Sequence, residues 1–168
     1  MTDHPESQAV ELDVDLGRQT LTVCRNAGKP VKTYTVSSGA NGPGEIENSG
    51  CTPRGRHVIR AKIGAGEPTN TVFRGRRPTG EIYQTGMRDE QPGRDWILTR
   101  ILWLSGTEPG VNRLGNVDTM RRYIYIHGTP DEVELGAPGS AGCIRMRNTD
   151  LLELFDLVEA GTRVTIHE

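Results

Sequence analysis

A histidine and a cysteine sixteen positions apart are the residues of this 168-residue chain best suited to chemistry. His127 ends the apolar run Tyr125-Ile-His, and Cys143 stands between Gly142 and the segment Ile-Arg-Met-Arg. Both fall where strand-like segments give way to loops, positions at which reactive side chains are commonly presented. A thiol that surrenders its proton to an imidazole is a nucleophile for acyl transfer. In that chemistry Cys143 attacks, and His127 is first the base and then the acid that protonates the leaving amine. The backbone N–H groups of Gly142 and Cys143 are the expected oxyanion donors, each worth roughly 3 kcal/mol in comparable sites. No acidic residue lies at an obvious spacing to orient His127, so the carbonyl of Gly128 is expected to do it. Arg145, Arg147 and the start of a following helix are expected to favour the thiolate, so that Cys143 alkylates faster than Cys24 or Cys51.

The other candidates read more plainly. Three cysteines, spaced 27 and 92 residues apart, are an odd number and do not form a disulfide framework. Cys24, on a strand-like segment, fits a small buried hydrophobe. A zinc cluster of His127, Cys143 and Cys51 is conceivable, but no Cys-x-x-Cys or His-x3-His pair accompanies it, and no metal or cofactor is expected. His57 opens a strand and reads as a hydrogen-bonded structural residue, whereas His4 and His167, near the termini, read as solvent-facing. Trp96 and Trp103 are expected in the core. The run Arg74-Gly-Arg-Arg-Pro reads as a solvated loop that can also bind a substrate carboxylate.

Several elements must position the pair. Alternation at Val10, Leu12, Val14 and Leu16, a turn at Gly17-Arg18, and Leu21 with Val23 beyond it predict a hairpin. A turn over 26–30 leads into Val31–Ser37, and a Gly/Ser/Asn-rich loop precedes another strand at Arg56–Ile63, so the first third reads as an antiparallel meander. Residues 64–95 hold six glycines and three prolines and are expected to cover a face of the sheet, with one brief strand at Glu81–Tyr83. Trp96–Leu104 and Arg121–His127 read as central strands. Asn148 or Thr149 is expected to cap a helix whose apolar stripe is Leu151, Leu154, Phe155 and Val158, with Gly161 ending it before a closing strand at Thr162–His167.

Length fits one domain, here residues 9–168 behind a flexible N-terminus of residues 1–8. With 20 basic against 22 acidic residues and a net charge of -2, the chain has no electrostatic footprint for nucleic acid or anionic membrane. No window has the length and hydropathy of a membrane span. The first residues lack the basic start and apolar stretch of a signal peptide, which predicts a cytoplasmic protein, or an extracytoplasmic one had a leader been trimmed. Oligomeric state is not legible.

At the same residues the chain resembles a known family. His127-Gly-Thr, then Ser140-Ala-Gly-Cys143-Ile-Arg-Met, a helix, and a Gly-Thr-Arg-Val-Thr-Ile ending resemble the L,D-transpeptidase catalytic domain (YkuD-like). Lys32-Thr-Tyr-Thr-Val-Ser-Ser-Gly39 and Thr52-Pro-Arg-Gly-Arg56 are similar to the family's Ser-x-Gly strand and Thr-Pro-x-Gly segment, and the likeness spans about residues 10 to 166. The resemblance implies a mainly β, single-domain mixed β-sandwich with one packed helix near the C-terminus. It implies catalysis by Cys143, His127 and Gly128, with Gly142 beside the nucleophile, and makes Arg145, Ser140 and Ala141 substrate-binding candidates. The implied partners are peptidoglycan stem peptides or muropeptides. The implied reaction attacks the L,D-peptide bond before the terminal D-alanine of a stem tetrapeptide and leaves an acyl-enzyme. An amine acceptor then gives a 3-3 cross-link or protein anchoring, and water gives L,D-carboxypeptidase action.

Lack of a visible leader favours water, hence muropeptide recycling. A silent peptidoglycan-peptide binding module is the reading from a different class. Ala141 departs from the family, which commonly has His, Lys or Arg there. Alanine supplies neither charge nor a side-chain donor, which weakens donor binding or leaving-group handling and leaves the backbone donors intact. Sortases separate their His and Cys by much more chain, and papain-like enzymes place Cys first, so both fit poorly.

Overall fold

The computed structural model describes residues 9–168; the expected flexible segment 1–8, with His4, lies outside the described residues. Strand β1 (Glu11–Asp15) and β2 (Thr20–Arg25) form the predicted hairpin, with Leu12 opposite Val23 and Val14 opposite Leu21, all buried. Such apolar cross-strand pairs set the register, because a one-residue slip would turn every inward side chain outward. β3 (Lys29–Ser37) continues the antiparallel order. The meander stops there. β4 (Gly55–Ile63) pairs instead with β10 (Arg163–His167) and with β7 (Ile97–Gly106), because the loop over 38–54 carries the chain away from β3.

The segment 64–95 corrects the expectation of a cover. It supplies β5 (Thr71–Arg74) and β6 (Arg77–Ile82), which extend the sheet beyond β7, and a four-residue helix α1 (Met87–Glu90). The second predicted central strand is also shorter: β8 is Tyr125–Gly128 only, because Tyr123 adopts φ 56° and residues 121–123 form a turn. β9 (Ile144–Met146) runs parallel to β8 and antiparallel to β3.

Ten strands therefore share one mixed sheet in the order β4-β10-β1-β2-β3-β9-β8-β7-β5-β6, and the β4–β7 pairing closes eight of them into a ring. The chain is thus mainly β and a single domain, with its principal helix near the C-terminus, as predicted. Helix α2 (Asn148–Leu157) buries Leu151, Leu154 and Phe155, and Val158 just beyond it, in the main core. Each such burial stabilises by about 2 kcal/mol. Neither Asn148 nor Thr149 caps this helix; the N-cap position is Arg147, without a side-chain bond, and the helix ends at Leu157, before Gly161. Trp96 is buried, whereas Trp103 is only partly so. His57 is the structural residue expected: it is buried, with Nδ1 bonded to the Gly55 carbonyl at 3.0 Å and Nε2 to Thr119 Oγ1 at 2.9 Å. No helix among the described residues is long and apolar enough to cross a membrane.

Candidate active site

His127 and Cys143 are brought together by the parallel pairing of β8 with β9, in which His127 lies beside Arg145 and Cys143 immediately precedes β9. His127 is 1% exposed, and its Nδ1 lies 2.7 Å from the Gly128 carbonyl oxygen. A carbonyl can only accept, so Nδ1 carries the proton and Nε2 is left as the basic nitrogen of the neutral ring. The Gly128 carbonyl, the expected orienting group, is the acceptor in this contact. Burial pushes the imidazole below its ordinary range, with Arg145 acting in the same direction and Asp95 and the Gly128 carbonyl opposing.

Gly128 has no room for a side chain. A Cβ there would overlap Asn148 Oδ1 and stand 2.6 Å from the Leu98 carbonyl oxygen. Asn148 donates to Thr129 O at 2.9 Å and accepts from Thr99 Oγ1 at 2.7 Å, so its amide braces the strand behind His127. Thr99 itself has φ 76°, a left-handed conformation costing a β-branched residue roughly 1–3 kcal/mol, at the bulge of β7 opposite Gly128.

The nucleophile loop is tied down by two distant segments. Thr52 Oγ1 donates to the Gly142 carbonyl at 2.9 Å and accepts from the Gly39 N–H at 2.8 Å. The N–H groups of Gly139 and Ser140 both donate to Ser38 O. A Cβ on Gly39 would lie 2.8 Å from Gly50 O and 3.2 Å from Gly142 Cα, so only glycine permits this approach. The Ser-x-Gly and Thr-Pro-x-Gly segments therefore meet at the loop that carries Cys143.

Four expectations need correction. The Gly142 N–H donates to Ser140 Oγ at 3.1 Å and is not free for an oxyanion, whereas the Cys143 N–H has no hydrogen-bond partner among the described residues. Ser140 is not open to substrate: it is 5% exposed and also donates to the Cys143 carbonyl. Arg145 is engaged with the Gly139 carbonyl at 3.1 Å and with Asp95 at 3.6 Å, so it braces the site, although it also lines a cleft of about 400 Å³ with Arg88, Arg94 and Trp96. The surroundings of the thiol work against the thiolate that was expected. Burial pushes Cys143 up to about 12; the Tyr125 N–H, Arg145 and Arg122 pull it down without prevailing, and Asp95 adds to the rise. Arg147 is absent from those influences and donates instead to Asp131 O at 2.6 Å.

Cys143 Sγ accepts from the Tyr125 N–H at 3.3 Å and donates to the Tyr123 carbonyl at 3.4 Å. It packs beside Phe73, Ile101, Tyr125 and Trp103, and it makes no hydrogen bond to His127. Ala141 is exposed. Cys24, Cys51 and Cys143 are all free and partly buried, and no group of three or more His, Cys, Asp or Glu among the described residues is arranged to hold a metal. Sequence reasoning missed Asp95, Thr99, Arg122 and Asn148. Of these only Asn148, a polar residue at a helix start, carried a local signal, and it pointed to capping.

A mainly β domain that sets a buried histidine on one strand beside a cysteine at the start of the neighbouring parallel strand is narrower than the fold alone. The profile of the YkuD family, described as the L,D-transpeptidase catalytic domain, matches residues 9–166, and this chain belongs to that family. It is 37% identical over 90 residues to the putative L,D-transpeptidase YkuD of Bacillus subtilis, covering 54% of this chain and 44% of that protein. Against the probable L,D-transpeptidase ErfK/SrfK of Salmonella typhimurium it is 51% identical over 102 residues, covering 54% and 33%. It thus spans less than half the length of these curated relatives. Solved structures with the same fold include L,D-transpeptidase 3 of Mycobacterium tuberculosis (TM-score 0.57, 18% identity, 95% of this chain and 61% of that one). The Enterococcus faecium L,D-transpeptidase matches with TM-score 0.56 and 20% identity over 98% and 52% of the two chains.

Proposed function

We infer that this protein is a cysteine acyl-enzyme catalyst that cleaves the L,D-peptide bond before the terminal D-alanine of peptidoglycan stem tetrapeptides. The observation that carries the reading is the His127 ring, fixed with Nδ1 on the Gly128 carbonyl and Nε2 unprotonated, on the strand next to Cys143. On substrate binding the Sγ proton passes to His127 Nε2, and Sγ attacks the carbonyl carbon. The developing oxyanion takes the free N–H of Cys143. His127 returns its proton to the amine of D-alanine, which leaves, and the acyl group remains as a thioester. A water that gives its proton to His127 then attacks the thioester, releasing a tripeptide acid and the thiol.

Water is favoured as acceptor because Sγ is flanked by the Tyr123 carbonyl, the Tyr125 N–H and an apolar wall and is only partly open to solvent, a setting that admits a small molecule more readily than a second stem peptide. The same reading makes soluble muropeptides the substrates and recycling in the cytoplasm the setting, which fractionation of the native host tests. Incubation with a soluble tetrapeptide is expected to yield D-alanine and tripeptide, and Cys143→Ala to abolish both. Dimeric 3-3 product would make it a cross-linking enzyme. Absence of both product and acyl-enzyme would make it a silent binding module, the reading to which Ala141 points.

A further inference from the structure

Arg76 sits where an isolated surface arginine has no reason to be. β5 and β6 are joined by a two-residue turn in which Arg74 pairs with Arg77, and Gly75 and Arg76 have φ of 55° and 64°. Glycine, asparagine or aspartate usually fills such a turn; an arginine there costs roughly 1–2 kcal/mol of backbone strain. Its side chain is nevertheless ordered by contacts. The guanidinium carbon lies 4.6 Å from the Trp103 ring centre and 4.9 Å from that of Tyr123, and Nη1 donates to Tyr125 Oη at 3.0 Å. It forms no ion pair among the described residues, whereas Arg54, Arg94 and Arg145 each have a carboxylate partner.

The residues holding that cation also hold the nucleophile. Cys143 Sγ lies between the Tyr123 carbonyl and the Tyr125 N–H, the two tyrosines whose side chains contact Arg76. Tyr125 and His127 are two apart on β8 and project to one face, where their ladder partners Trp103 and Ile101 also lie. A planar fork of donors with no internal acid, held by the side chains of the two tyrosines whose backbone contacts Sγ, matches a substrate carboxylate. In a peptide attacked at its last L,D bond, the terminal carboxylate stands about one residue, ~4 Å, beyond the reacting carbon.

We propose that Arg76 is a substrate-recognising residue that binds a free carboxylate flanking the scissile bond and so selects stem peptides by that charge. The inference rests on the stem-peptide reading above. Two carboxylates share this chemistry, that of the terminal D-alanine and one on the side chain of the third residue. The test uses Cys143→Ala protein, in which binding is read without turnover, and isothermal titration with four tetrapeptides in which each carboxylate is free or amidated. Amidating the recognised carboxylate is expected to weaken binding about 10- to 100-fold. Adding Arg76→Gly should remove that preference and bring both forms to the weaker value. Glycine relieves the turn's backbone, so a loss there is not a folding defect, and Arg76→Lys should recover part of the preference through charge without the fork.

Equal binding of free and amidated peptides, a preference that survives Arg76→Gly, or no peptide binding at all overturns the proposal. Failure of native enzyme to release D-alanine, with the carboxylate preference intact, overturns the hydrolytic reading and leaves this one standing.

Discussion

Cys143 should be slow to alkylate in the resting enzyme, contrary to the usual mark of a catalytic cysteine. With its thiol pushed up to about 12, only about one molecule in 10⁴ carries the thiolate at pH 8. A free cysteine, near 8.5, is roughly one-quarter ionised at that pH, so the deficit in reactive species is about 2,400-fold. A more basic thiolate is also a better nucleophile; a Brønsted coefficient of 0.4–0.5 over that interval returns about 25- to 55-fold. The net expectation is iodoacetamide labelling roughly 40- to 100-fold slower than a cysteine in an unstructured peptide, before burial of Sγ slows it further. Timed quenching at pH 8, digestion and mass spectrometry of the Cys143 peptide measure this. Labelling as fast as the unstructured peptide cysteine would show a resting ion pair with His127 and refute the argument that burial outweighs Arg145, Arg122 and the Tyr125 N–H. Slow labelling consequently cannot identify a silent module; turnover must.

The pH profile follows from the same groups: kcat/KM for D-alanine release should rise on an acid limb below the ordinary histidine value of about 6.5, as His127 loses its proton, and stay flat from about 7 to 10. An ascending limb near 8.5 would show that the thiol ionises independently of His127. Gly128→Ala should cost about 10²-fold in kcat, since its Cβ must displace Asn148 or the carbonyl that aims His127; a folded variant of near-normal activity would remove that carbonyl from the mechanism. Ala141→His should raise turnover about two- to tenfold by restoring a donor beside the nucleophile loop, and unchanged or lower activity in a folded variant would sink the idea. His57, buried, is pushed down to about 4, so the folded state binds fewer protons than the unfolded one between pH 4 and 6.5. Stability from this group is complete above about 6.5 and falls by about 3 kcal/mol toward pH 4. Urea unfolding of wild type and His57→Gln at pH 7 and 4.5 should show the smaller pH loss in the variant, and parallel losses would refute the assignment.

What could be read from sequence was whatever a short window contains. The spacing of His127 and Cys143 pointed to two residues that β8 and β9 bring side by side, and the glycine after the histidine to the carbonyl on which Nδ1 rests. Alternation fixed β1 and β2, and a four-residue stripe fixed the inward face of α2. The hairpin of β5 and β6 was hidden because Arg77-Pro-Thr-Gly-Glu is exposed on both faces and has no period. The state of the thiol was hidden for another reason: helix and arginine proximity argue for ionisation along the chain, but the burial that decides it comes from Phe73, Ile101 and Tyr125 on other strands. Ser140 illustrates a third limit, since two residues of separation let its hydroxyl reach the Gly142 N–H that an oxyanion would have used.

Closure of the strand ring has a consequence for the order in which the chain folds. β1 has β2 on one side from the local hairpin, but on its other side it pairs in parallel with β10, Leu12 beside Val164, so its second neighbour arrives only when the last strand is in place. Contacts of that sequence separation form slowly and late. Until then β1 and β4 each present an unpaired edge where β10 will later dock, edges that favour association between unfinished chains. The seam sealed by Arg163–His167 is therefore where unfinished chains are expected to associate, and substitutions there should lower refolding yield before they touch the His127–Cys143 site.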